Sequence, residues 1–355
     1  MKILITGVCG FVGSSLALEL KKRLSPLEVI GLDNLSRPGS EINRSRLKTH
    51  GVSFLHRDLR NPSDLEDIPK TDWVIDAAAN PSVLAGVNAQ TSSRQLMEHN
   101  LIGTLHLLEY CKRHSAGFIL LSTSRVYSQA HLSALPIEAT DSVFVPKFTS
   151  ANIPGLSEEG VSESFSTQPP LSLYGAAKLA SELLAVEYSL AFDLPVYVNR
   201  CGVMAGAGQF GKADQGIFSF WIHSWCRKRP LAYIGFDGTG RQVRDCLHPT
   251  DLAALLSAQM QKPQKSSEPL NVGGGIASGI SLAQLSAWCA RRFGPHQIAQ
   301  DLRPRRFDVP WVILDSNRAT SLWNWRPQMR VEQILEEIAA HAEQDPEWLD
   351  LSSET

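Results

Sequence analysis

Lys2-Ile-Leu-Ile-Thr6-Gly7-Val8-Cys9-Gly10-Phe11-Val12-Gly13 opens the chain, followed by Leu16, Leu20 and Leu24 at helical spacing. An apolar run, a glycine turn and a helix in that order make the first βα unit of a dinucleotide-binding sheet. Gly7 permits the tight turn, Gly10 admits a pyrophosphate close to the backbone, and Gly13 lets the helix pack on the strand, with Phe11 and Val12 in the same turn. The phosphates then lie at the helix amino end, where unpaired N–H groups and the helix dipole favour anions. The glycines are spaced G-x-x-G-x-x-G, one residue off the strict G-x-G-x-x-G. The order of elements therefore carries the reading.

A second apolar run, Glu28 to Leu32, ends in Asp33, twenty residues after Gly13. A carboxylate there takes both ribose hydroxyls of an adenosine and repels a 2′-phosphate, which favours NAD over NADP. Arg37, four residues on, could instead receive that phosphate. Further strand-like runs at 52–56, 73–77, 118–122 and 196–200 alternate with helical patterns, notably 92–113 and 174–192. This alternation predicts an α/β, Rossmann-type doubly wound parallel sheet.

Tyr174 and Lys178 lie four apart in Ser-Leu-Tyr174-Gly-Ala-Ala-Lys178. Four residues is about one helical turn, so phenol and ammonium share a face. A cation beside the phenol favours the phenolate, and the positive ring of an oxidised nicotinamide pushes the same way. Tyrosine then becomes a usable base near neutral pH.

The bulk properties narrow the class. A chain of 355 residues is long enough for two domains, and its formal net charge of −2 shows no basic stripe of the kind nucleic acid requires. Six cysteines at 9, 111, 201, 226, 246 and 289 contain no CxxC pair, so they read as reduced thiols with no metal site. The chain starts directly on a strand, and no apolar run approaches the length of a membrane span. A cytoplasmic protein is expected. Residues 131–170, rich in Ser, Pro and Glu, read as a long irregular segment, either a lid or a surface insertion. The helix expected at 331–343 is amphipathic, and the polar, acidic 344–355 is expected to fray.

Thr6-Gly-x-x-Gly-Phe-x-Gly13, Asp33-Asn34-Leu35-Ser36, Asp58-Leu59, Asn100, Ser122-Thr123-Ser124-Arg125-Val126-Tyr127 and Tyr174-x-x-x-Lys178 together resemble the extended short-chain dehydrogenase/reductases. Those are mostly nucleotide-sugar epimerases and dehydratases. The resemblance continues through Gly240-Arg-Gln-Val-Arg244-Asp245-Cys-Leu-His248, Asn271-Val-Gly-Gly274 and Asp315. It implies an NAD-binding Rossmann domain over 1–201 and 237–261 and a smaller interleaved nucleotide-sugar domain over 202–236 and 262–345, with 346–355 as a frayed tail. It also implies a homodimer through the helices at 92–113 and 174–192.

By the same resemblance Asp58 and Leu59 meet the adenine, Ala78, Ala79 and Asn80 line the cofactor crevice, and Asn34, Ser36 and Arg37 flank Asp33. Thr123, where many relatives carry serine, holds the reacting sugar hydroxyl and shares the proton that Tyr174 removes. Asn100 braces the active-site backbone and a water near Lys178. Arg244 meets the diphosphate, Arg305 and Asp308 lie in the segment that usually contacts the same diphosphate and ribose, and Ser124, Arg125 and Gln209 complete the substrate set; Arg303, Arg305 and Arg306 also read as a solvated charge run. Ser122 and Ser124 also read as structural from the alternating side-chain directions of a strand. His248 reads as a packed histidine, since Tyr174 already serves as base.

The implied chemistry is oxidation of a sugar hydroxyl, retention of the keto-sugar, and hydride return to its other face with NAD regenerated. The segment Gln209 to Phe218, followed by Trp221, is most similar to members that invert carbon 2 of CDP-linked sugars. Four-epimerisation of a UDP-hexose or uronate is the alternative. Dehydration needs an acidic pair after the active-site Thr or Ser, and here Ser124 and Arg125 stand there. A regulatory dinucleotide-binding protein without turnover is the reading from another class. Such proteins usually lack the tyrosine or lysine, and this chain has both.

Overall fold

Seven strands pair into one parallel sheet in a computed structural model that describes residues 1–87, 92–148, 153–264 and 268–352. They are β1 (Lys2–Thr6), β2 (Glu28–Asp33), β3 (Val52–His56), β4 (Trp73–Asp76), β5 (Gly117–Thr123), β6 (Val196–Cys201) and β7 (Leu270–Val272). Their order is β7-β6-β5-β4-β1-β2-β3, so the chain reverses direction across the sheet between β1 and β4. Alternation along β1 feeds two cores. Ile3 and Ile5 join Leu16, Leu20, Leu252 and Leu256 on one face, whereas Leu4 joins Leu107, Leu108 and Ala185 on the other. A strand covered on both faces reads as a continuous apolar run, which is why these strands are legible.

The strand β7 has no counterpart among the sequence expectations. It has three residues, and the central one, Asn271, is buried through partners distant in sequence. Its Nδ2 donates to the Val161 carbonyl at 2.8 Å, and its Oδ1 accepts from the Tyr127 hydroxyl at 2.6 Å.

The helix expected over 92–113 is interrupted. Ser93–Met97 and Gly103–His114 are α-helical, but Glu98–Ile102 forms a π-helical turn. The helix expected over 174–192 spans Leu173–Phe192, and the Ser172 hydroxyl caps it by accepting from Gly175 N–H at 3.0 Å. One turn beyond Lys178, buried Glu182 accepts from Arg200 Nε at 3.1 Å and Nη2 at 2.7 Å, and from the Ser122 hydroxyl at 2.5 Å. This charged knot ties the helix to β5 and β6 directly behind the cleft. Removing one partner would strand a buried charge.

A smaller sheet is formed by Val203–Met204, Val243–Leu247, Gly279–Ser281 and Trp311–Val312. Helices Ile217–Cys226, Leu282–Phe293 and Val331–Gln344 pack together beside it around Trp221, Trp225, Leu285, Ile334 and Ile338. The expected segment boundaries shift accordingly. Within 237–261, Val243–Leu247 joins the smaller sheet and only the helix Pro249–Gln261 returns to pack on Phe11–Arg23. Within 262–345, β7 belongs to the large sheet.

Two further expectations are corrected. The described part of 131–170 contains two small hairpins, Ile137–Ala139 with Phe144–Pro146 and Leu156–Ser157 with Gly160–Val161. Its Leu132, Leu135, Val161 and Phe165 pack on Val309, Trp311 and Leu314, and none of its described residues lines the main cleft. It is a buttress and not a lid; residues 149–152 lie outside the described residues. The tail does not fray over 346–352. Trp348 and Leu349 are buried and Asp350–Ser352 forms a 3-10 turn, because the indole stacks on Phe210 at 5.0 Å between ring centres. Residues 353–355 lie outside the described residues.

Candidate active site

The carboxyl ends of β1, β2, β4, β5 and β6 open into one cleft of about 760 Å³ at the strand-order reversal. Open α/β sheets bind ligands at this point. Every candidate site residue except Asn100 lines it.

The floor has no room for side chains. Gly7 has φ of 61°, and a Cβ on Gly13 would lie 2.1 Å from the Gly7 carbonyl oxygen. The helix Phe11–Arg23 starts at Gly10 with no side-chain cap, which leaves the anion role at its N-terminus to a ligand. Beside it the Thr6 hydroxyl donates to Asp76 at 3.0 Å and accepts from the N–H groups of Ala77 and Ala78 at 3.1 Å, fixing the end of β4.

Asp33 accepts from Cys9 N–H at 2.9 Å through one carboxylate oxygen and from Leu35 N–H at 2.8 Å through the other. Burial raises its pKa, and these backbone donors oppose the rise. Asn34 donates to Asp58 at 3.2 Å, and the Arg60 guanidinium holds Asp58 well below the usual carboxylate range. Arg37 turns away from Asp33, donating to Gln215 Oε1 at 2.6 Å and to the Phe210 carbonyl. The glycine floor, the uncapped helix and a carboxylate at the end of β2 fit a dinucleotide.

Asn100 lies behind the cleft and does not line it. Its Oδ1 accepts from Asn80 N–H at 2.8 Å and its Nδ2 donates to the Asn80 carbonyl at 2.9 Å. Both halves of the amide thus clamp the Asn80 backbone, which does line the cleft. The π-turn delivers this side chain, and its own carbonyl accepts from the Ser181 hydroxyl at 3.0 Å, joining it to the Tyr174 helix.

Thr123, Tyr174 and Lys178 line one wall together. Burial pushes the Tyr174 phenol up to about 12, while the Thr123 hydroxyl's hydrogen bond and the Arg125 charge pull the other way. In the protein by itself desolvation outweighs these stabilising groups, and the expected lowering of the phenol draws also on the positive nicotinamide ring. The Thr123 oxygen also accepts from Arg125 N–H at 3.2 Å, which directs its proton away from that side. Ser122 faces Glu182, in keeping with a structural serine.

Farther along, Arg125, Arg244 and Arg305 gather around Asp308. Arg244 donates to Asp308 at 3.2 Å and to the Val309 carbonyl at 2.8 Å. Burial and the nearby Arg125 charge lower its pKa to about 10. Three guanidinium groups outnumber the nearby carboxylates of Asp308 and Asp245, and this positive excess suits an anion. Gln209 is partly committed elsewhere, its Nε2 donating to the Met204 carbonyl at 2.8 Å. His248 is packed as expected, 3.0 Å from Glu337.

Sequence reading missed several lining residues, among them Ser82, Cys201, Phe210, Gln215 and Gln242. Four of them carried a signal: Phe210 and Gln215 lie in the segment 209–218, Gln242 in the run that ends at Arg244, and Cys201 at the end of β6. Burial pushes the Cys201 thiol up to about 12.

Among the described residues no helix is long and apolar enough to cross a membrane, and no cluster of His, Cys, Asp and Glu could hold a metal ion. The profile of the NAD dependent epimerase/dehydratase family matches residues 3–273. The chain is 29% identical to a CDP-paratose 2-epimerase of Salmonella typhi over 95% of its own length and 98% of the relative's. It is also 29% identical to a UDP-glucuronate 4-epimerase of Thermodesulfobacterium geofontis, over 94% and 93% of the two chains. The structure of a UDP-glucuronic acid 4-epimerase from Bacillus cereus, in complex with UDP-glucuronic acid and NAD, superposes with a TM-score of 0.74 at 25% identity, covering 97% of this chain and 99% of that one.

Proposed function

The chain belongs to the NAD-dependent epimerase/dehydratase family, and we propose that within it the protein inverts carbon 2 of a CDP-linked sugar. The observation that carries the epimerase reading is the pair following Thr123. Ser124 and Arg125 line the cleft where dehydration would need acids. The carbon-2 and CDP assignments are supported by the relative matched over nearly the full length of both chains.

When bound, NAD supplies a hydride acceptor and then a hydride donor. The Tyr174 phenolate takes the proton of the reacting sugar hydroxyl and later returns it, with Thr123 orienting that hydroxyl. Lys178 adds a positive charge on the same helix face. Arg244, Arg125 and Arg305 hold the diphosphate, and Asn100 keeps the Asn80 backbone in place. Asp33 takes the adenosine ribose.

NMR analysis of products from a panel of CDP- and UDP-sugars tests the assignment. Inversion at carbon 2 of a CDP-sugar is expected. Inversion at carbon 4 of UDP-glucuronate or UDP-glucose would move the protein to the 4-epimerases, and loss of water would refute epimerisation altogether.

Cofactor choice follows from β2. NAD should bind more tightly than NADP, because Asp33 repels a 2′-phosphate while Arg37 is engaged by Phe210 and Gln215. Asp33→Asn should erase most of that preference in calorimetric titrations. Tighter binding of NADP by the unaltered protein would refute the role given to Asp33.

The helix Leu173–Phe192 presents Leu183 at 63% and Leu190 at 70% exposure. We assign this face to a homodimer, as large apolar side chains grouped on one helix call for a partner. Light scattering should give twice the chain mass, and Leu183→Glu with Leu190→Glu should halve it; a monomeric wild type would exclude the dimer.

A further inference from the structure

Residues 209–216 cross the mouth of the cleft between the loops after β2 and β4, and they are held from both sides. Arg37, after β2, donates to Gln215 and to the Phe210 carbonyl. Ser82, after β4, donates to Asp214 at 2.6 Å. From outside, the C-terminal Trp348 stacks on Phe210 at 16° between ring planes, and its Nε1 donates to the Gln209 carbonyl at 3.0 Å. The same carbonyl accepts from the Ser219 hydroxyl at 2.8 Å. The segment is bounded by Gly208 and Gly216, with φ of 77° and 69°, so both ends have the left-handed backbone that glycine allows. Phe210, Lys212, Asp214 and Gln215 face the cleft opposite the glycine floor.

We propose that 209–216 is a clasp over the dinucleotide, with Trp348 and Arg37 as its positioning residues. The inference rests on the reading that the cleft holds NAD. The chemistry gives such a clasp a purpose. An enzyme that consumes its cofactor must release it every turnover, whereas one that regenerates NAD gains from holding it. The anchors divide the work: Arg37 and Ser82 close the segment onto the sheet, and the C-terminal turn fixes its outer edge.

The test is the release of NAD from the purified holoenzyme into an excess of isotopically labelled NAD. Trp348→Ala removes a stacked pair and a hydrogen bond and should speed release roughly tenfold or more. Trp348→Phe keeps a ring on Phe210 and should recover most of the retention. Arg37→Gln should also speed release. Trypsin supplies a readout without cofactor, since cleavage after Lys212 should be faster in Trp348→Ala and Arg37→Gln than in the unaltered protein. Should Trp348→Ala fail to fold, Ser82→Ala, which removes one hydrogen bond, takes its place. Folded variants that release NAD and resist trypsin like the wild type would overturn the clasp. A wild type with no measurable NAD affinity would overturn the cofactor reading instead, and the clasp with it.

Discussion

Tyr174→Phe is expected to lower turnover by roughly 10²- to 10⁴-fold, the usual contribution of a positioned general base. The ring still fills its buried place beside Thr123 and Gly175, so the loss falls on proton transfer and not on the fold. NAD affinity should stay within a few-fold, because the floor at Gly7 to Gly13 and the Asp33 carboxylate are untouched. Burial raises this phenol to about 12 against the Thr123 hydrogen bond and the Arg125 charge, so a positive nicotinamide ring brought beside it would favour the phenolate. Steady-state rates and a parallel NAD titration check the prediction. A variant keeping more than about a tenth of the wild-type rate would remove Tyr174 from this role.

Arg244→Ala should weaken nucleotide-sugar binding far more than NAD binding. A hydrogen bond to a charged group contributes roughly 1.5–3 kcal/mol, or about a tenfold to hundredfold change in affinity. The substitution also leaves Asp308 with less positive charge beside it, so the carboxylate itself would repel an incoming diphosphate. NAD phosphates, placed at the glycine floor, should be almost unaffected. Equal losses for both ligands in calorimetric titration would mean that Arg244 supports the fold. An unchanged sugar-nucleotide affinity would place the diphosphate elsewhere, around Arg305.

Local patterns in the sequence were enough for the sheet and most of the cleft. The strands β1, β2, β4, β5 and β6 are apolar runs because they are covered on both faces, and the Tyr174–Lys178 spacing is a property of a single helix. What escaped depends on contacts between distant residues. The strand β7 has a buried asparagine at its centre, whose side chain is satisfied by Val161 and Tyr127. The π-turn that aims Asn100 at Asn80 has no marker in its composition. The tail is acidic and polar on average, yet it is held by an indole set on Phe210 and by Asp350 paired with Arg229, each more than a hundred residues away. The environment of the Tyr174 phenol is hidden for a related reason. Spacing shows the cation but not the extent of burial, and burial dominates.

The proposed chemistry is reversible oxidation with return of the same hydride inside one cleft. The most direct measurement follows a substrate deuterated at the reacting carbon, incubated with the NAD-loaded protein in ordinary water and examined by NMR. An inverted product that keeps its deuterium at that carbon is expected, with no net NADH released. Replacement of the deuterium by solvent hydrogen would contradict it, since exchange would mean removal of a proton from carbon instead of transfer and return of a hydride.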